Sequence, residues 1–562
     1  MKYLFTIALL AFSIGQASTQ NCSPVLDEIN RIGNDYRQSS TYSLANLSFD
    51  NTATDPFYDG DGMTRLFDLG FARGIWAGGF DPAGNLKVAA SGYNDVGDFI
   101  PGPIIEEYQN DPAFCAFFTR VWTITETEII DLKSQFQTGT LDLENIPADI
   151  LEWPAFGNPY IEDYDISVGL APFFDKNENG MYDPIDGDYP ITLDGSINFL
   201  PSVFRFYVFN DQTAHAETQA TPLNMEFQVM DYVVDCEFQS ESETSIFTRL
   251  KYFNRGTTDV RDFKLAIWDD TDLGCFRDDA VGCNPSLNTS YYYNQFGNDE
   301  SLDCQGVQSI PDDYGVVRSL ILLNKELESF IYYYNCGVVD PAPQQCDPSI
   351  AMQYYNLLNG QWLDGSELTE GGDGFNPNSM EFTPYAFPNF PTQDDGWSMA
   401  TAGVPASDLR TISVFDVEDI LFPGQGDFVD FADHVLISSE KTGLDIFEEY
   451  EAAVAEVKAD FNDMNDGDFE CDIMSASYDL DDLVSLNIYP NPTKDILQLE
   501  FKESQKGGKI LIHSVEGKTI RRYDIINHEK MNLPLTDIAP GLYLLTLRTP
   551  KGQIHSESFV KM

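Results

Sequence analysis

Histidine and positive charge are what this sequence has least of. Five histidines stand among 562 residues, and 32 lysines and arginines face 91 aspartates and glutamates, for a formal net charge of −59. A surface so acidic repels nucleic acid and anionic membranes and draws cations. Only His215 and His434 precede the C-terminal segment. Neither lies in a Gly-x-Ser-x-Gly or His-Glu-x-x-His context, so the common signatures of serine hydrolases and zinc proteases are missing. No Cys-x-x-Cys pair occurs and no cysteine neighbours a histidine, which argues against zinc. No run approaches 18 apolar residues, so no membrane-spanning helix is expected.

What is present describes a globular, exported, β-rich chain. Hydrophobic residues make up 43% and charged residues 22%, the balance of a folded protein rather than a disordered one. Aromatics at 13%, with 41 glycines and 30 prolines, favour short strands joined by turns. Lys2, the apolar run Leu4–Ile14 and the small-residue site Gly15-Gln16-Ala17 read as a secretory signal over residues 1–18. Nine cysteines fit an oxidising destination. Cys275/Cys283 and Cys336/Cys346 are close enough in sequence to staple loops, and the odd count leaves at least one thiol unpaired in a monomer.

Charge divides the chain. From Ser485 onward 11 basic residues face 8 acidic ones, whereas the preceding body carries 21 against 83. Residues 19–199 read as a mixed α/β part. In it Thr125-x-x-Glu128 is a capping box ahead of Ile129, Ile130, Leu132 and Phe136 at helical spacing. Gly74–Asp81 and Asp98–Pro103 read as strand ends and tight turns. Residues 200–461 read as β-rich. Val203–Phe209, Met225–Val234, Ile246–Phe253, Phe263–Trp268, Val316–Leu323 and Phe330–Tyr334 are strand-length runs of β-branched and aromatic residues. Long polar loops at Asp269–Ser290 and Asp340–Gly374 suggest a function, a crosslink or a metal. Phe447, Tyr450, Val454, Val457 and Phe461 mark the apolar stripe of one acidic helix. Residues 462–484 form an acidic linker, and residues 485–562 a terminal segment of about seven short strands.

The sharpest chemical motif is Asp175–Asp186. Asp175, Asn177, Asn179, Asp183 and Asp186 place side-chain oxygens at loop positions 1, 3, 5, 9 and 12, Gly180 permits a sharp turn at 6, and Met181 offers its carbonyl at 7. That is a calcium-loop pattern, with Asp rather than a bidentate Glu at position 12 resembling the dockerin-type variant. A structural calcium ion is the expectation. The alternative is an Asx-rich turn in which the same oxygens bond their own backbone. Pro184 stops a regular helix from continuing through the loop's last third. Two weaker acidic clusters, Asp269–Asp279 and Asp463–Asp468, read as solvated loops. Tyr291–Tyr293 and Tyr332–Tyr334 offer rings for sugar stacking, although strand alternation sends about half of such residues into a core. A catalytic carboxylate pair cannot be chosen among so many acids, since its separation is spatial. No catalytic residue is assigned.

The terminal segment resembles the type A C-terminal sorting domain of the Bacteroidota type IX secretion system. The likeness rests on Tyr489-Pro490-Asn491-Pro492, Ile496–Phe501, Ile510–His513, Gly517-Lys518, Leu533–Leu535, Gly541-Leu542-Tyr543 and the basic end at Lys561. It implies a seven-stranded immunoglobulin-like β-sandwich, passage through the periplasm, and recognition by the secretion machinery through residues 485–562. It also implies release or attachment to surface lipopolysaccharide. The body is similar, more loosely, to an uncharacterised region found ahead of such domains, through Trp76–Asp81, Asp98–Pro103, Ala171–Asp175, Gly187–Pro190 and Trp268–Gly274. That likeness brings no catalytic residues. The fold expected is mainly β: a large β-rich cargo with a few helices, then the sandwich. The function expected is a calcium-braced surface or secreted binding protein, for example for glycans. A secreted hydrolase of polysaccharide or protein is the alternative. Deleting Leu486–Met562 is expected to strand the chain in the periplasm, as read by cell fractionation. Normal surface delivery of the truncated chain would contradict the assignment.

Overall fold

The structure, a computed structural model, describes residues 72–466 and 486–562 apart from short internal segments (93–96, 106, 109–110, 162–169, 193–198, 235–240, 296–313, 337–340, 439, 495, 506–508, 515–518, 525–527, 536–537 and 549–553). The signal segment 1–18, most of the linker 462–484 and the Gly517-Lys518 turn lie outside the described residues.

In chain order the body's strands begin with β1 (Ala72–Phe80), β2 (Leu86–Ala90), β3 (Ile100–Pro101), β4 (Trp122–Thr125), β5 (Phe173–Phe174) and β6 (Tyr189–Pro190). They continue with β7 (Val203–Asn210), β8 (Met225–Val233), β9 (Ser245–Asn254), β10 (Val260–Asp270), β11 (Asp279–Asn284) and β12 (Thr289–Asn294). The last are β13 (Gly315–Leu322), β14 (Leu327–Tyr334), β15 (Leu409–Phe415), β16 (Ile420–Leu421) and β17 (Gly426–Ser438). The helices are α1 (Pro112–Phe118), α2 (Glu126–Thr138), α3 (Ala148–Leu151), α4 (Ala351–Leu358), α5 (Met399–Ala402) and α6 (Phe447–Asp466).

Two antiparallel sheets carry the body. One has six strands, in the order β14-β15-β10-β1-β2 with β16 also on β10. The other has nine, in the order β11-β12-β13-β17-β9-β8-β7-β3 with β4 also on β7. They face each other. Phe415 of β15 stacks on Phe431 of β17, Tyr252 of β9 packs on Phe263 of β10, and the hydroxyls of Ser290 and Ser413 meet at 2.7 Å. The fold is therefore mainly β, with few helices.

The periodic segments form the expected elements because their apolar positions have somewhere to go. Along β9, Leu250 and Tyr252 are buried while Arg249, Lys251 and Phe253 are half-buried, the alternation a pleated strand imposes. In α2 the Thr125 side chain accepts from Glu128 N while Glu128 reaches back to Thr125 N, a closed capping box. The stripe on α6 covers the outer face of the nine-stranded sheet. Phe461 stacks on Phe247, and Phe447 and Tyr450 pack on Tyr291.

Three expectations need correcting. A boundary at 199/200 does not separate two cores: β1 pairs with β10, β4 pairs with β7, and one apolar cluster runs from Ala72 to Met464. The glycine-rich stretch from Gly74 is the interior of β1, a nine-residue strand, not a turn. Its glycines permit close packing, since a Cβ at Gly74 would lie 2.3 Å from that of Ser91 and one at Gly78 would lie 2.8 Å from the Tyr355 ring. Cys275 is disulfide-bonded but not to Cys283, which is a free, buried thiol. Cys336 and Cys346 do pair and crosslink the loop after β14.

Between the sheets lies a charged layer. Arg73 of β1 donates to Asp269 of β10 at 2.5 and 3.1 Å and crosses the gap to Asp433 of β17 at 3.2 Å. Arg318 of β13 holds Asp433 through two bonds, 2.8 and 2.5 Å, with its guanidinium over the Tyr292 ring. All four charged residues are buried. Truncating one member strands the opposite charge away from water. Arg318→Ala is therefore expected to cost about 3 kcal/mol in urea unfolding, with Arg73 softening the loss. The double change Arg318→Met with Asp433→Leu should recover most of it, and a wild-type midpoint for the single variant would refute the role.

Candidate functional site

The Asp175–Asp186 loop sits between β5 and β6, which pair with each other. Its oxygens are engaged with its own backbone. Asp175 accepts from Asn179 N at 3.2 Å and Gly180 N at 2.6 Å, Asn177 from Asn179 N at 3.1 Å, and Asn179 from Met181 N at 2.7 Å. Asp183 caps the 3-10 turn Pro184–Asp186 through Ile185 N at 3.0 Å, and the Asn177 amide donates to Asp186 at 3.0 Å. Gly180 takes a φ of +78°, as the sixth position requires. The side chains of Asn177, Asn179, Met181 and Asp186 are exposed, while Tyr182 is buried and donates to Ile150 O at 2.6 Å. Thus the structure brings all six expected ligand residues into one loop. This bonding suits both an Asx-rich turn and a calcium loop.

A residue not chosen from sequence organises this loop. Asp188 is fully buried and accepts from Lys176 N at 2.9 Å and Asp183 N at 2.8 Å, tying the loop's two limbs together. Burial pushes its carboxyl above the ordinary range, and the nearby charges of Asp175 and Asp186 add to that.

The cluster after β10 is not a solvated acidic loop. Asp269, Asp270, Asp278 and Asp279 are all buried. Arg73 holds Asp269, Arg410 bridges Asp270 and Asp408, and Asp279 accepts from Leu273 N. Carboxylate oxygens of Asp270, Asp272 and Asp408 lie within 4.8 Å of one another, a grouping that Arg410 helps to neutralise. The tyrosine triplets are likewise buried: Tyr291 and Tyr293 under α6, Tyr292 over Arg318, and Tyr332 against Trp362 and Phe387. Alternation alone would expose half of them; the helix and the loop before β15 cover the other face. The Asp463–Asp468 cluster lies partly in α6 and partly outside the described residues.

One aromatic of those triplets does reach a cavity. Trp76, Trp268, Tyr333 and Tyr354, with Gly92, Glu217, Asp347 and Pro348, line a space of about 250 Å³. The tryptophans come from neighbouring strands β1 and β10, Tyr333 from β14, and Tyr354 from α4. The indoles are nearly parallel, 9° apart with centroids at 6.3 Å, and Tyr354 tilts against Trp76 at 4.8 Å. Glu217 is half-buried and Asp347 exposed. Buried Asp98 accepts from the Glu217 backbone N at 2.9 Å, and the Tyr354 hydroxyl donates to the Glu217 carboxylate at 2.5 Å. Burial, reinforced by Glu217, pushes the Tyr354 hydroxyl up, so it remains a donor. Sequence spacing could not find this cavity, because its lining is drawn from six separate segments.

His215 is structural. It is buried beneath this region with one ring nitrogen 2.7 Å from Val88 O and the other 2.9 Å from Asp211 O. Asp98 and Asp211 flank it at 3.6 Å. His434 is also buried, with Nδ1 3.0 Å from the Ser245 hydroxyl.

The tail forms seven strands in two sheets, one of three and one of four. Leu497, Leu499, Ile510, Ile512, Leu533, Leu545 and Phe559 form its own core. Its opening motif meets its end: Asn491 Oδ1 accepts from Val560 N at 3.0 Å, and Thr493 exchanges backbone bonds with Val560 and Met562 at 2.8 Å. This is the immunoglobulin-like β-sandwich expected.

Residues 487–561 match the family model of the secretion system C-terminal sorting domain. Among solved structures, the chain is similar to a DUF3244-family protein with an immunoglobulin-like β-sandwich fold from Bacteroides vulgatus. That likeness has 15% identity over 15% of this chain and 88% of that one, with a TM-score of 0.13. A polysaccharide lyase shares 7% identity over 67% of this chain, with a TM-score of 0.18, and dimeric latent PorU from Porphyromonas gingivalis shares 9% over 64%, with a TM-score of 0.12. The chain spans 37% and 31% of those two proteins. No curated protein matches. The tail thus addresses the chain, through the type IX secretion machinery, to the cell surface or the extracellular space. Among the described residues no helix is long and apolar enough to cross a membrane.

The buried acid beside His215 makes a pH prediction. Burial raises Asp211 to about 6, against the pull of His215 and of the Leu223 and Met225 amides. The folded chain then binds more protons than the unfolded one between pH 4 and 6, so this residue's contribution to stability falls as pH rises through that window. The loss is about 3 kcal/mol. Urea midpoints across pH 4–7 for wild type and Asp211→Asn should differ in slope there; parallel curves would contradict it.

Proposed function

We propose that this chain is an exported, calcium-braced binding protein whose ligand enters the cavity between α4 and the outer face of the six-stranded sheet. The observation that carries the reading is the cavity itself. It is an aromatic wall set on three strands and α4, with two carboxylates in its lining, one of them on backbone held by buried Asp98. Export supports it, since a surface or secreted module meets ligands directly. After delivery, cleavage near the tail and attachment to surface lipopolysaccharide would follow the behaviour that the tail's likeness implies.

Calcium belongs to this reading as a brace. Asp175, Asn177, Asn179, Asp183 and Asp186 would supply side-chain oxygens and Met181 its carbonyl. The ion would offset the mutual repulsion of Asp175, Asp186 and Asp188, whose carboxyl is raised chiefly by burial and further by those two charges. The loop packs on α3 through Tyr182, whose hydroxyl reaches Ile150, so ordering it would steady the first part of the body.

A secreted hydrolase is the second reading. One observation favours it: Glu217 and Asp347 line the same cavity, and glycoside hydrolysis needs two carboxylates across one site. The cavity of about 250 Å³ lies below the range of roughly 300–1,000 Å³ usual for ligand clefts, which confines either reading to a small group of the ligand.

Two measurements test the proposal. Calcium at 100-fold excess over its dissociation constant is expected to stabilise the mature chain by about 2.7 kcal/mol, read as a rise in melting temperature that Asp175→Ala abolishes. An unchanged melting temperature would remove the calcium brace. Against a glycan and peptide panel the chain is expected to release neither reducing sugar nor new amino termini. Release that disappears in Glu217→Gln would replace binding by hydrolysis.

A further inference from the structure

The lining of the cavity is chemically one-sided. Its indole and phenol tips are largely spent inside the protein: Trp76 Nε1 donates to Ser91 O at 2.7 Å, Trp268 Nε1 to the Tyr333 hydroxyl at 2.7 Å, and the Tyr354 hydroxyl to Glu217. Three of the four side-chain donors in the lining are therefore committed. The rest of the lining is aromatic ring and carboxylate, whose oxygens only accept. Among the described residues the lining contains no lysine or arginine. The nearby guanidinium of Arg410 is bound to Asp408 and Asp270.

The placement of Glu217 is built rather than incidental. A Cβ at Gly92 would lie 2.3 Å from its Oε1, so the carboxylate occupies the space that only glycine leaves. Gly74, opposite Trp268 in the β1–β10 register, makes room instead for Ser91, whose carbonyl holds the Trp76 indole. A sugar, whose hydroxyls both donate and accept, would meet too few donors here. An anion would be repelled by both carboxylates and by the acidic body. A cation finds ring quadrupoles, two negative charges and no competing base.

We propose that this cavity is a receptor for an organic ammonium group, a primary or methylated amine borne on a small molecule or on a lysine side chain. The proposal rests on reading the cavity as the ligand site. Charge and ring stacking act together: the rings exclude water from the methyl or methylene groups while Glu217 and Asp347 meet the positive charge. The space of about 250 Å³ holds one such head rather than an oligomeric ligand.

The test uses the mature full-length chain. Tetramethylammonium, choline and Nα-acetyl-lysine methylamide are titrated beside 3,3-dimethylbutanol, which has the shape of choline without its charge, and glucose. Tryptophan fluorescence and titration calorimetry are the readouts. The ammonium probes are expected to bind at least about 10-fold more tightly than the neutral alcohol, since a desolvated cation–aromatic contact and a carboxylate act together. Whether choline or the lysine derivative binds more tightly identifies the source as a small molecule or a peptide. Asp347→Asn and Gly92→Ala are each expected to weaken ammonium binding about 3- to 10-fold, the second by displacing the Glu217 carboxylate. Asp347 is exposed, so that variant should keep the wild-type melting temperature. Equal binding of the neutral alcohol, or preferential binding of glucose, overturns the ammonium proposal and leaves the cavity as the ligand site. Failure of every probe overturns both.

Discussion

Arg73 is the residue on which the body's architecture turns. It holds Asp269 within its own sheet and reaches Asp433 in the opposite one, where Arg318 completes a neutral set of two guanidiniums and two carboxylates. A charged layer between sheets is costly in desolvation and repays it only when every hydrogen-bonding position is met. That condition fixes strand register. Arg73 pairs with Asp269 in the β1–β10 ladder, and Arg318, opposite Val435, reaches Asp433 diagonally, two rungs along the β13–β17 ladder. A slip of one residue in any of the four strands would turn a charge to the wrong face and leave its partner buried and alone. Apolar residues elsewhere in the core tolerate exchange of shape one at a time; this set tolerates exchange only in pairs, and no shift.

The same geometry places the cavity. With Arg73 and Asp269 pointing inward, strand alternation sends Trp76 and Trp268 to the outer face of the six-stranded sheet, where α4 brings Tyr354 against Trp76. Position 74 must then be glycine, since its Cβ would strike Ser91. The glycines in β1, which made the stretch read as a turn, are thus the mark of a crowded central strand. Local propensity and tertiary packing give opposite answers here, and packing decides.

What could be read in the sequence follows from the range of the forces involved. The capping box at Thr125, the stripe from Phe447 to Phe461 and the alternation through β9 are local, and the elements they specify formed close to the expected ends. The tight turn at Asp175–Asp186 was legible because its residues are consecutive; buried Asp188 was not, because its role shows only once both limbs of the loop are folded onto it. The cavity was illegible for a stronger reason. Glu217, Trp268, Tyr333 and Tyr354 are joined by no period, and none stands in a motif that names a chemistry. Tyr333 was visible only as one of three tyrosines, of which the other two pack into the core. The acids after β10 misled in the reverse direction: a dense acidic run suggests a wet loop, but two arginine pairings far apart in sequence, Arg73 with Asp269 and Arg410 with Asp270, help to draw it inside.

Those pairings also change what the composition means. The body holds 21 lysines and arginines against 83 acids, and several of the cations are spent below the surface. Arg73, Arg318 and Arg410 are buried with carboxylate partners, and Arg249 and Arg255 are largely covered and tied to Asp430 and Glu226. Each buried pair is neutral and leaves the outside unchanged in net charge, yet it removes a positive site from the surface while many acids remain there. The field outside the fold is accordingly less mottled than counting residues suggests, and nearly of one sign. Such a field concentrates cations at every concave point and favours fast capture of positively charged partners. At most of the surface that attraction is unspecific and screened within about 8 Å at physiological salt. It acquires selectivity where low-dielectric walls and fixed carboxylates coincide, and among the described residues the aromatic cavity is where both occur together.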